Sequence, residues 1–130
     1  MARYVLFKRC NGEEHKLSLT SGAVIELETR MNSSLHELIK KSDRLSVSSE
    51  MFAAAMDNSI PYEERKKLAL EIFDEMVDNG ENIQNYQIAV FDTLVAAGFM
   101  KGEVVELARK MIDVQEKGLA KMTNLPEINE

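Results

Sequence analysis

The chain has no tryptophan, one cysteine and two histidines, and each scarcity removes a class of function. Cys10 alone forms no internal disulfide, and one cysteine with two histidines falls short of a typical structural zinc site. That usage suits a reducing compartment. Two prolines and six glycines in 130 residues leave little room for flexible linkers. No Gly-rich phosphate loop, H-E-x-x-H, C-x-x-C or G-x-S-x-G occurs. Basic residues are absent from 68–100, where Glu71, Asp74, Glu75, Asp78, Glu81 and Asp92 are all acidic. With a net charge of -6, this argues against nucleic-acid binding, because phosphate neutralisation needs clustered Lys and Arg. A membrane partner is excluded on similar grounds. The most apolar stretch, 88–100, is too short to span a bilayer and carries Asp92, and MARYVLFKRC holds only a four-residue apolar run before more charge.

What is present is a hydrophobic share of 45% in a pattern of short helices, enough for one domain with a real core. Asn11-Gly12 is a strong hairpin signal, and a two-residue turn there reflects Tyr4 onto Leu19, Leu6 onto Leu17 and Lys8 onto His15. This predicts that Tyr4, Leu6, Leu17 and Leu19 pack on helices, with Arg9 and Glu14 as a cross-strand ion pair.

Thr20 or Ser21 caps a first helix to Met31, where Asn32 stops it. Ser34 and Glu37 form a capping box for a short second helix. Ser48 or Ser49 caps a third, with Met51, Phe52, Ala55 and Met56 at helical spacing. The fourth opens near Pro61, carries Leu68, Ala69, Ile72, Phe73, Met76 and Val77 as its apolar stripe, and ends at Gly80. A fifth, 83–97, is apolar nearly all round and so reads as central, with Gly98 and Phe99 closing it. The last, 103–117, buries Val104, Leu107, Ala108, Met111 and Ile112 and ends at Gly118. The fold class is therefore α+β, mostly α: an N-terminal β-hairpin (1–19) packed on five to six helices (20–118) in a single domain, followed by a loosely held tail at 119–130.

Candidate functional residues are few. Glu28 falls among Ala23, Val24, Ile25, Leu27 and Met31 on the first helix, and a carboxylate on an apolar arc must find a partner. Its options are the backbone amides of 32–35, an arginine such as Arg3 or Arg44, or a ligand; with Ser34 and Glu37 it marks a structural corner. Cys10 and His15 straddle the hairpin turn without facing each other, so they make a poor nucleophile and base. His36 sits beside Glu37 as an ordinary solvated histidine. The acidic face of the fourth helix, with Glu71, Asp74, Glu75 and Asp78, is either a solvated face or a dock for a basic partner. Eight methionines are many for this length; Met51, Met56, Met76 and Met111 either fill the core or form an adaptable groove. Met76 and Met111 join the four acids as candidate partner-binding residues. No catalytic, metal or cofactor residues emerge, and self-association stays open.

A short β segment, then a capped A-x-x-x-L-E (Ala23, Leu27, Glu28), then Asn32-Ser33-Ser34 before L-x-x-L-I, resembles the tail assembly chaperones of long-tailed bacteriophages. Pro61-Tyr62-Glu63-Glu64 and Ala96-Ala97-Gly98-Phe99 are similar to that family too. The resemblance implies a non-enzymatic morphogenesis factor of a phage or prophage, working in the host cytoplasm and absent from the mature virion. Its implied partners are the apolar, helical tape-measure protein and the tail-tube protein, with no cofactor. It also implies a longer frameshifted form whose junction would fall near 123–130. The alternative is a phage or prophage interaction or regulatory domain outside tail assembly.

Overall fold

The computed structural model describes residues 3–123, with side chains as far as residue 114 and Ala108 excepted. Strands β1 (Val5–Lys8) and β2 (Glu14–Leu17) form an antiparallel pair that sets Val5 against Leu17, Leu6 against Lys16, Phe7 against His15 and Lys8 against Glu14. This is one residue off the register expected from Asn11-Gly12. The loop has three residues, not two. Arg9 N–H donates to the Glu13 carbonyl at 2.7 Å and Gly12 N–H to the Arg9 carbonyl at 2.9 Å. Only Gly12 enters the left-handed region, at φ 95°, while the Asn11 side chain accepts the Glu13 amide at 2.9 Å. Such a loop is a turn followed by a glycine bulge.

A slip of one residue turns β1 over while β2 keeps its inward face. Val5 and Phe7 go inward with Leu17, while Leu6 is left 59% exposed and Tyr4 37%. Lys16 lies over the Tyr4 ring on that outer face, 4.3 Å from its centre. Arg9 meets Glu13 at 2.9 Å in place of Glu14, and also clasps Glu75.

Six helices follow: α1 (Ser21–Met31), α2 (Leu35–Lys40), α3 (Leu45–Ala55), α4 (Tyr62–Asp78), α5 (Gln84–Ala97) and α6 (Gly102–Thr123). Thr20 caps α1 by accepting the Ala23 amide at 3.1 Å, and Asn32, at φ 50°, ends it. α3 starts earlier than its serines suggested, after Arg44, so Ser48 and Ser49 lie buried inside the helix and cap nothing. Pro61 sits just outside α4, in extended backbone. At the end of α5, Gly98 takes φ 89° and the Phe99 amide reaches back to the Leu94 carbonyl at 2.8 Å, the expected Schellman closure. α6 does not stop at Gly118 but continues to Thr123; residues 124–130, the rest of the expected tail, lie outside the described residues.

The sequence pointed to α5 as the central helix, but α3 shares that place. Every residue from 47 to 55 is buried except Glu50, which is half-buried, and α3 packs against α1, α4 and α5. Three consecutive alanines, Ala53, Ala54 and Ala55, are at most 3% exposed, and their small side chains leave room for close neighbours. Phe52 is the aromatic hub: Phe7 meets its ring edge-on at 5.2 Å and Tyr86 stacks on it at 4.6 Å. The Tyr86 hydroxyl donates to the Ala69 carbonyl at 2.8 Å, satisfying a polar tip that would otherwise be costly to bury.

The register makes an asymmetric prediction. Phe7→Ala should destabilise the fold by about 3 kcal/mol in denaturant melts, and Leu6→Ala by less than about 0.5 kcal/mol. Equal losses would restore the reflected register.

Candidate functional site

Glu28 is half-buried, and its Oε2 accepts the Leu35 amide at 2.8 Å. Around it, the Glu28 carbonyl takes the Ser33 amide at 3.2 Å and Ser34 Oγ accepts the Glu37 amide at 3.2 Å. The carboxylate thus holds the first turn of α2 against the end of α1, where free amides favour a negative charge. Glu37 turns to Lys40, 3.8 Å away.

The candidate partner-binding residues divide. Glu71, Asp74 and Asp78 are exposed along α4, but Glu75 is engaged by both Nε and a terminal nitrogen of Arg9. Met76 is 2% exposed and cannot be a surface contact, because it follows Ala69 and Ile72 on the inward stripe of α4. Met51 and Met56 are likewise core, at 0% and 3%. Met111 is the opposite case, at 58% exposed.

Met111 belongs to the largest departure from expectation. With Val105 set at zero and about 100° per residue, Ile112 falls at about 340°, Val104 at 260°, Met111 at 240°, Leu107 at 200° and Val114 at 180°. The apolar arc of α6 is therefore about half the helix circumference. Only its edge docks: Val105 is 2% exposed and Ile112 half-buried, while Arg109 reaches the Asp92 carboxylate on α5. Val104, Leu107, Met111 and Val114 remain 51%, 61%, 58% and 68% exposed. Val104, Leu107 and Met111 are thus not core residues. An apolar stripe left in water on a helix of 22 residues is the feature most unlike an ordinary core.

Sequence reasoning missed two charged clusters. Glu50 interrupts the apolar run of α3, and it accepts the Tyr62 hydroxyl at 2.6 Å and Lys66 Nζ, with Arg30 at 3.6 Å. Arg30 also stacks on the Tyr62 ring at 3.6 Å. Burial, then the bond to Glu50, pushes the Tyr62 phenol up to about 12. Arg65, 7% exposed, donates to the carbonyls of Ile60 at 2.8 Å and Ala53 at 3.0 Å. Its spacing with Ala69, Ile72 and Met76 was the available signal, a cation on the inward stripe of α4.

A cleft of about 540 Å³ lies between β2 and the turn joining α3 to α4, lined by Glu14, His15, Lys16, Met56, Asp57 and Asn58. His15 Nε2 is buried there without a hydrogen bond, 3.7 Å from the Glu13 carboxylate. Asp57 accepts the Ser59 amide at 2.9 Å, which lowers its pKa. The Cys10 thiol donates to Glu81 at 2.6 Å, and that bond raises its pKa. His15 faces Phe7 across the hairpin, so Cys10 and His15 do not form a pair. Among the described residues no group of three or more His, Cys, Asp or Glu is placed to hold a metal ion.

Two outcomes test these clusters. Glu28→Ala should cost about 1–2 kcal/mol in denaturant melts by orphaning the Leu35 amide; no change would remove its structural role. The Tyr62 pKa lies above its ordinary value of 10.0, so its stabilising contribution is complete below pH 10 and lost as pH rises towards 12. Stability should fall across that window, and Tyr62→Phe should flatten the fall; an unchanged slope would show that the phenol is not coupled to folding.

Neither a protein-family model, a curated protein nor a solved structure matches this chain.

Proposed function

We propose that this protein is a tail assembly chaperone of a long-tailed phage or prophage, a non-enzymatic factor that binds the tape-measure protein and helps recruit tail-tube subunits. The observation that carries the reading is the uncovered stripe of α6. A long, apolar, helical client needs an apolar surface to lie on, and helix-on-helix burial is the physics that would keep it soluble. Val104, Leu107, Met111 and Val114 supply such a surface at the spacing a partner helix reads. Met111 adds an unbranched thioether that adapts to varied neighbours.

The acidic residues Glu71, Asp74 and Asp78 fit the same role in a second way. Their charge repels like-charged copies and keeps a complex with an apolar client in solution. The reading places the protein in the host cytoplasm during assembly and outside the finished virion. The order of motifs along the chain, from the Ala23, Leu27, Glu28 segment to the Gly98-Phe99 closure, is the second support.

Co-expression with the tape-measure and tail-tube proteins should give a soluble complex. Leu107→Asp combined with Met111→Asp should abolish it while leaving the isolated protein folded by circular dichroism. If the wild-type chain yields only insoluble tape-measure protein, the reading fails.

A further inference from the structure

We infer that the free edge of β2 takes up an extended peptide as a third strand, in the cleft between the hairpin and the turn joining α3 to α4. The register fixes which backbone groups face that cleft. In an antiparallel ladder the directly opposed pairs alternate between those that exchange hydrogen bonds and those that do not. Arg9 N–H donates to the Glu13 carbonyl, so Phe7 with His15 and Val5 with Leu17 are the bonded pairs that follow. The amides and carbonyls of Glu14, Lys16 and Ser18 therefore point away from β1. Ser18 has its partner there, donating to the Ala55 carbonyl at 2.8 Å. Among the described residues no backbone group meets Glu14 or Lys16 on that side, because the sheet ends at β2.

The space beside this edge suits a single strand. A strand fills roughly 150 Å³ per residue, from a rise of about 3.3 Å, about 4.8 Å to its neighbour and about 10 Å between layers. The cleft of about 540 Å³ therefore takes about three to four residues, close to the length of β2 itself. Met56, Asp57 and Asn58 line the side opposite β2, where the second strand of an incoming hairpin would have to lie. A lone extended chain meets no such obstacle. Evenly spaced donors and acceptors along an open edge are what its own backbone pairs with.

Side chains choose the peptide. Glu14 and Lys16 are exposed and form no ion pair among the described residues, and Lys16 is held over the Tyr4 ring on the outer face. An antiparallel third strand, whose bonds run straight across the ladder, passes Lys16, then His15, then Glu14. It gains most from an acidic residue opposite Lys16 and a basic one opposite Glu14, with the residue between them turned inward beside His15 and Met56. The opposite order sets like charges against each other. Charges on an edge discourage unselective pairing, and their order here leaves one favoured pattern, acid, small apolar residue, base. The site shares no residue with the stripe of α6 and does not rest on the chaperone reading.

The probe is the acetylated and amidated peptide Thr-Glu-Val-Lys-Thr, titrated into the isotope-labelled full chain. Binding should saturate at about millimolar concentration and shift the amide signals of Glu14, Lys16 and residues 56–58. The reversed-order peptide Thr-Lys-Val-Glu-Thr should bind about tenfold more weakly. In the double variant Glu14→Lys with Lys16→Glu, which alters only exposed side chains, that preference should invert. N-methylation of the peptide's Glu and Lys amides should abolish binding to either protein. No saturable shift at these amides, equal binding of the two peptides, a preference that survives the charge swap, or unchanged binding after N-methylation would overturn the inference. The same shifts on concentrating the protein alone would put a second copy at the edge and overturn it too.

Discussion

The end of α3 presents carbonyls with no further helical turn to receive them, in the middle of the core, and the fold is arranged around satisfying them. Ala53 gives its carbonyl to the guanidinium of Arg65 on α4, and Ala55 gives its carbonyl to the Ser18 amide just after β2. Two hydrogen bonds thereby fix α4 and the hairpin to one helix end. A buried arginine is costly unless its donors are met, and here the negative end of the α3 dipole faces it. The Ile60 carbonyl and Asn58 Oδ1 occupy further donors, so the turn between α3 and α4 wraps around the cation.

Nearer the start of α3, Glu50 complements that arginine. It gathers Tyr62 and Lys66 from α4 and Arg30 from α1, so a single carboxylate ties the three helices on the side away from Phe52. The apolar rings give this core its mass, while Glu50 and Arg65 set the relative positions of its helices.

Much of this architecture was legible in the sequence because it is local. Thr20, Asn32, Ser34 and the Gly98-Phe99 closure act within a few residues, and each does what its chemistry suggested. Glu28 was legible for a related reason: an acid on an apolar arc next to a helix start has few places to go. The hairpin register was not, because Asn11-Gly12 suits either a two-residue or a three-residue loop, and tertiary packing of Phe7 on Phe52 accompanies the second. Ser48 and Ser49 misled for want of long-range information, since burial against other helices outweighed their capping preference. On α6 the amphipathic pattern located the apolar arc but not how much of it the globule covers. That depends on where α5 runs, and periodicity carries no such information. Met76 and Met111 looked alike in sequence and lie on opposite sides of that distinction.

The ties that hold the hairpin also set a timetable. Ser18 is bonded to Ala55, Arg9 to Glu75 and Arg3 to the Ala97 carbonyl, so the hairpin is completed only by segments synthesised much later. At about 5–20 residues per second on the ribosome, β1 and β2 wait roughly 4–20 seconds for α5 to emerge. Throughout that interval both edges of a two-stranded ribbon are open to any neighbouring strand. The hairpin is therefore the most vulnerable part of a nascent chain until α5 has been made.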